Sequence, residues 1–448
     1  MQDHSLAAMQ AATPKVFVKF ALPSIITMLF FGLQNLIDAL IIGNFLGAKA
    51  LGGVNIILPL FSLEMVLALI VGIGIQTLVS QNLGRQKPKR VQQAVKTGFI
   101  GLSLASLIAS SLLWLLREPL IRAMGADEIL FPYALAYFTG LVPFMLPMAL
   151  SFYTDLLLKA FGRPLLSSLI MSSVVLINIL LSLLFVLWLD LGVFGASLAT
   201  SIAFSLAFFV AIFFLPKPYA LHKGRFSYRL LGKACYNGSS EGVAELSSAI
   251  AVLIINRSVM AMLGAEGVSA YAAISYIQFM GVLIFLGISD GLIPVMAYYY
   301  GAGKKERLQN LFRFAAKTNA ALGLIIFVAL QLWGAHIVRL FFHSGDTAVI
   351  RLASESLRIF SWVFLLEGIT ILITSYFTAL GNALSSIIIA ALRGVIFIAI
   401  GMAILPRLFG TDGIWLTLIA SECLGLLAAI WLLKQLHRRF DSKTIAAV

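Results

Sequence analysis

The 448-residue chain is 60% apolar and only 11% charged, with a mean hydropathy of +1.00 and a formal net charge of +13. Soluble domains carry about a quarter charged residues, so this composition excludes one. The basic excess fits contacts with anionic headgroups and the setting of topology, and no nucleic-acid partner is expected.

Taken in order, twelve apolar runs lie near 16–40, 53–79, 94–115, 131–158, 165–188, 193–215, 236–262, 268–297, 312–333, 352–379, 385–405 and 412–433. Each is close to the roughly 20 residues that cross a hydrocarbon core as a helix. Solid blocks of this kind argue against a barrel, whose strands read as alternating segments of about ten residues. The expected fold is an all-α membrane protein with twelve transmembrane helices. Residues 1–15 are polar and the first run is full length, so no cleavable signal peptide is expected.

The stretch from Leu46 to Lys96 recurs without a gap from Leu263 to Arg313, an offset of 263 − 46 = 217. Gly47 meets Gly264, Gly74 meets Gly291, Gly84 meets Gly301, and Arg90 meets Arg307. Two homologous six-helix lobes are therefore expected, at 1–215 and 236–448, joined by a linker at 216–235. Clusters at Lys15–Lys19, Arg85–Lys96, Lys159–Arg163, Lys217–Lys233, Lys304–Lys317 and Lys434–Lys443 hold 23 of the 32 basic residues. That side is read as cytoplasmic. Both termini then lie inside, and the two repeats share one orientation about an axis along the membrane normal.

Enzyme chemistry finds no support. The histidines (His4, His222, His336, His343, His437) lack metal-ligand spacing. Gly301-Ala-Gly-Lys-Lys-Glu lacks the Ser/Thr and the earlier glycine of a P-loop. Cys235 and Cys423 read as small buried residues with no disulfide framework.

Ionisable groups inside the spans are the functional candidates. They are Asp38, Glu64, Asp155, Glu241, Glu245, Asp290, Glu367 and Glu422. Asp38 follows Gln34 by one turn on a helix that Pro23 can bend, which suits a proton or sodium switch. An acid at the outer interface is the plainer reading of it. Glu241 and Glu245, four apart, share a helix face. They read as a second cation or proton site, an acidic lip for cationic substrates, or a solvated helix start beside Lys233. Asp155 stands four before Lys159, the spacing of an intrahelical ion pair. Asp38, Glu64, Asp155, Asp290 and Glu367 are candidates to line a substrate cavity, and Glu422 has no partner visible in sequence. Pro143 and Pro147 mark a kink in the fourth run.

The segments Gly32-Leu-Gln-Asn-Leu-Ile-Asp38, Ile42-Gly-Asn-Phe-Leu-Gly47, Val79-Ser-Gln-Asn-Leu-Gly84 and Phe161-Gly-Arg-Pro164 resemble the multidrug and toxic compound extrusion (MATE) family. The likeness extends over essentially the whole chain, including the six-plus-six repeat. It implies two lobes forming a V around a central cavity and cation-coupled export by alternating access. It gives Asp38 a proton- or sodium-binding role and matches Asn178 to the asparagine of the pattern Asn-Ile-x-x-Asp. This chain departs from that pattern, reading Asn178-Ile-Leu-Leu-Ser182. Either Asp38 works with Gln34, Asn178 and Ser182 alone, or coupling has moved to Glu241 and Glu245.

The resulting expectation is a cation-coupled antiporter, not an enzyme, exporting organic cationic or amphipathic compounds across a bacterial inner membrane. It needs no cofactor beyond the transported H+ or Na+, and no metal beyond a Na+ at Asp38. Its partners are small organic substrates and membrane lipids, and it works as a monomer. The runner-up is a flippase of lipid-linked saccharides. That function would want a basic cavity, for which Arg257 and Arg393 are the only mid-span arginines. An intramembrane enzyme or a receptor-like scaffold is the remaining class. It lacks a metal cluster or an activated serine, and a scaffold would not need so many buried acids.

Overall fold

A computed structural model describes residues 8–342 and 346–445. His4 and His343 lie outside the described residues. The described residues contain helices and no strand, as the solid apolar runs require.

Six spans come from the first repeat: α1 Thr13–Leu46, α2 Ala48–Gly84, α3 Pro88–Leu115, α4 Phe131–Ala160, α5 Pro164–Trp188 and α6 Gly192–Phe214. Next comes a 74-residue stretch, Tyr228–Gly301. Its backbone leaves the helix at Gly264, with φ 64° and ψ −157°. The break divides the stretch into α7 (228–263) and α8 (265–301). Four more follow: α9 Lys305–Arg339, α10 Thr347–Leu380, α11 Ala383–Phe409 and α12 Asp412–Leu436. Each expected run maps onto one of these twelve helices, the sixth overrunning the end of α6 by one residue, Leu215.

Local chemistry explains the boundaries. Prolines occupy the first turn of α1, α3 and α5, where the missing N–H has no intrahelical partner to lose. Gly47 reverses the chain between α1 and α2 at φ 87°, a left-handed setting that a side chain resists. Gly264, its partner in the repeat, does the same between α7 and α8. α4 is broken by a 3-10 turn at Val142–Phe144, which carries Pro143, so the expected kink is there. Ser227 Oγ accepts from Leu230 N at 3.4 Å and caps α7, so residues 228–235, read above as linker, are already helical.

The described residues up to Gly238, together with Asp290–Lys305, form one compact unit. Ser239–Ser289 and the described residues from Glu306 onward form the second. In the first unit, α1 runs along α5, and α4 packs against α2 and α6. Phe31, Phe152 and Phe204 stack at its centre, the last two with ring centroids 5.1 Å apart. In the second unit, α12 lies against α10 and α11. There Trp415, Phe360 and Phe364 are buried to 1% exposure or less. Many outward side chains stay apolar, Phe213 at 85% exposure and Trp188 at 83% among them, as a lipid-facing surface requires.

Candidate coupling site

In the first unit, α1, α5 and α6 bring together the residues singled out around Asp38. The Asp38 carboxyl is half-buried and hydrogen-bonded by Gln34, one turn earlier on the same face of α1. Asn178 of α5 is fully buried. The amide orientation that satisfies both of its ends has its nitrogen donating to Asp38 Oδ1 at 3.0 Å. Its oxygen then accepts from Thr200 Oγ1 of α6 at 2.9 Å. Ser182, one turn beyond Asn178, is 1% exposed, and its hydroxyl finds no hydrogen-bond partner. Tyr137 of α4 lies within electrostatic reach of the Asp38 carboxyl. The sequence reading named Gln34, Asp38, Asn178 and Ser182 but neither Thr200 nor Tyr137.

The set holds one carboxylate among neutral donors and acceptors. Such a carboxylate can be satisfied by amide donors when ionised, by a proton, or by a small monovalent cation. Pro23, which lacks the N–H that would bond to the Lys19 carbonyl, lies fifteen residues before Asp38, about 22 Å along the helix. Its own carbonyl accepts from Ser168 Oγ of α5 at 2.7 Å.

The other acids differ in burial and in partners. Glu64, Asp155 and Glu367 are buried, at 2%, 6% and 3% exposure. The reason is electrostatic, since a charge at membrane depth is held most cheaply by a protein partner. Glu64 Oε1 accepts from Ser106 Oγ of α3, while Oε2 is buried without a partner. Asp155 pairs with Lys159 Nζ at 2.8 Å, the i,i+4 bridge its spacing suggested, and accepts from Ser167 Oγ. Asp290 is half-buried and lies within electrostatic reach of Lys159. Glu241 and Glu245 belong to the second unit, half-buried and exposed respectively. They stand 13 and 17 residues past Tyr228, where α7 begins, so neither marks a helix start.

Glu422 does have a partner, invisible in sequence because it lies on another helix. Arg393 of α11 reaches Glu422 Oε2 at 3.4 Å and Glu367 Oε1 at 3.6 Å. Gly425 faces the Arg393 Cβ so closely that an added Cβ would sit 2.7 Å from it. Replacing Arg393 with leucine strands two buried carboxylates, and removing one partner of a buried pair costs about 3–5 kcal/mol. The expected result is a clearly lower melting temperature in detergent. Combining Arg393→Leu with Glu367→Gln and Glu422→Gln should recover most of the loss.

Comparison with known proteins agrees with this architecture. The MatE family model matches residues 23–184 and again 244–403, one copy per repeat. The multidrug export protein MepA of Staphylococcus saprophyticus subsp. saprophyticus is 25% identical over 98% of both chains. The crystal structure of MATE in the straight conformation superposes with a TM-score of 0.90 at 20% identity, covering 98% of both chains. MATE in the bent conformation gives 0.89 at 21% identity, covering 99% of both chains. With the family model matching both halves of a twelve-helix membrane protein, the chain belongs to the MatE family.

Proposed function

We propose that this chain is a secondary transporter that exports organic, cationic or amphipathic compounds by alternating access, driven by inward movement of protons or sodium through Asp38. The observation that carries the reading is the joining of Asp38, Asn178 and Thr200 from three candidate spanning helices around one carboxylate. Proteins named for multidrug export align along nearly the whole chain, which supports the substrate class.

In this mechanism the proton or sodium ion competes with substrate. Ion binding at Asp38 alters the bend of α1 at Pro23 and expels substrate outward. Release of the ion to the cytoplasm resets the lobes. The clusters of lysine and arginine support a cytoplasmic position for both termini, and the two repeats are compatible with one chain working as a monomer. One charge moving through 100 mV supplies about 2.3 kcal/mol, enough to bias such a two-state cycle. A saccharide flippase is less well supported, because Arg393 is already held by Glu367 and Glu422.

The test uses proteoliposomes containing a fluorescent organic cation, with a pH gradient and a sodium gradient imposed separately. Movement of the cation under one gradient names the coupling ion. If neither gradient moves any of a panel of cations, the export reading fails.

A further inference from the structure

Beside Pro23, polar contacts link α1, α5 and α4 of the first unit, and a close helix crossing brings α8 to the same part of α1. On α1, Thr27 Oγ1 donates to Ser168 Oγ of α5 at 2.7 Å, and Ser168 Oγ donates to the Pro23 carbonyl at 2.7 Å. The preceding residue, Ser167, donates to the Asp155 carboxylate of α4. Asp155 pairs with Lys159, an ammonium only 2% exposed. Lys159 lies within electrostatic reach of Asp290 on α8. Gly291, the next residue, crosses α1: an added Cβ would sit 2.4 Å from the Phe20 carbonyl oxygen and 3.0 Å from Ser24 Oγ. Phe20 and Ser24 flank Pro23.

Three features go beyond ordinary packing. The group holds two carboxylates against one ammonium, with Lys159 of α4 within electrostatic reach of Asp290 on α8. The Gly291 crossing has no side chain to cushion it, so α8 cannot ignore a change in the path of α1 there. Asp290 is also the first residue of Asp290–Lys305, the stretch from α8 through the following loop that belongs to the first unit, whereas Ser239–Ser289 belong to the second.

We propose that this group is a latch that couples the bend of α1 at Pro23 to release of the 290–301 segment of α8. Ser167, Ser168, Lys159, Asp155 and Asp290 are its positioning residues. While Ser168 holds Pro23 and Thr27, the α1 segment around Phe20 and Ser24 offers α8 a fixed seat, and Lys159 holds Asp290 on it. When α1 changes its bend, the seat moves, Asp290 leaves Lys159, and the cytoplasmic end of α8 separates. Its place in a transport cycle rests on the alternating-access reading above, but the latch can be tested without substrate or ion gradient.

The full chain would carry spin labels at Lys87 and Lys304, in the loops that follow Gly84 and Gly301, with Cys235 and Cys423 replaced by serine. Distance distributions would be recorded in lipid nanodiscs. Asp290→Asn and Ser168→Ala, both close in shape to the native side chain, should each raise the long-distance population roughly five- to tenfold, within the usual span of coupling energies. Asp290→Glu should keep the native distribution. The swap of Lys159→Asp with Asp290→Lys should move it back toward native. Native distributions in both Asp290→Asn and Ser168→Ala, with or without a lower melting temperature, would overturn the latch. A chain that transports no cation could still show the shift, so the two readings fail separately.

Discussion

Asp38→Asn should reduce gradient-driven efflux to the level of empty liposomes while leaving the protein folded. Asparagine has the same shape as aspartate and keeps hydrogen-bonding capacity toward Gln34 and Asn178. The Asn178 nitrogen that donates to Asp38 Oδ1 at 3.0 Å finds a carbonyl oxygen in its place. What disappears is the ability to take up and release a charge. If Asp38 carries the coupling ion, no partial activity should remain, since a neutral amide binds neither a proton nor sodium tightly at neutral pH. The melting temperature in detergent should move by only a few degrees, because surface and half-buried polar replacements that keep their hydrogen bonds stay near the small end of mutational effects. Efflux at the native rate from this variant would remove Asp38 from the mechanism. It would send the search to the second unit, where Glu241, Glu245 and the Glu367–Arg393–Glu422 group remain.

How much of this site could be read from sequence depended on whether each contact was local. Gln34 and Asp38 are one turn apart, and so are Asp155 and Lys159, so helical periodicity alone places each pair on one face. Asn178 lies 140 residues from Asp38, and only the family resemblance connected them. Thr200 and Tyr137 left no signal, because threonine and tyrosine are ordinary residues in membrane spans. Arg393 was noticed only as a rare mid-span arginine. Its bridge to Glu367 and Glu422 joins three helices at separations of 26 and 29 residues, which no periodicity reports. The twelve spans were legible because the bilayer fixes both their length and their composition. The start of α7 at Tyr228 was misjudged because its first turns are polar and basic, and hydropathy sees only the apolar part of a helix.

The repeated glycines, read in sequence as marks of an internal repeat, carry the second large effect. Gly84 of α2 and Gly301 of α8 are equivalent in the repeat, and each lies against the backbone of the other's helix. A Cβ on Gly84 would fall 2.3 Å from the Tyr298 carbonyl oxygen and 2.7 Å from the Ala302 nitrogen. A Cβ on Gly301 would fall 2.1 Å from the Gln81 carbonyl oxygen and 2.7 Å from Gln81 Cα. Backbone atoms cannot rotate out of the way, so the two helices would have to move apart. Small residues at such crossings let membrane helices approach for dispersion contacts, since lipid offers no hydrophobic drive for their association. Alanine normally improves a helix by up to about 1 kcal/mol over glycine. That gain should appear at Gly232 on α7, where an added Cβ meets nothing within 4 Å. Gly84→Ala and Gly301→Ala should instead lose about 1–3 kcal/mol through overpacking, and leucine at either site more. The double alanine variant should lose less than the sum of the two, because the first substitution already opens the crossing that the second would strain. Thermal unfolding in detergent reads all four variants. A Gly84→Ala protein melting at or above the Gly232→Ala control would show that α2 and α8 do not need this contact to hold the conformation described here.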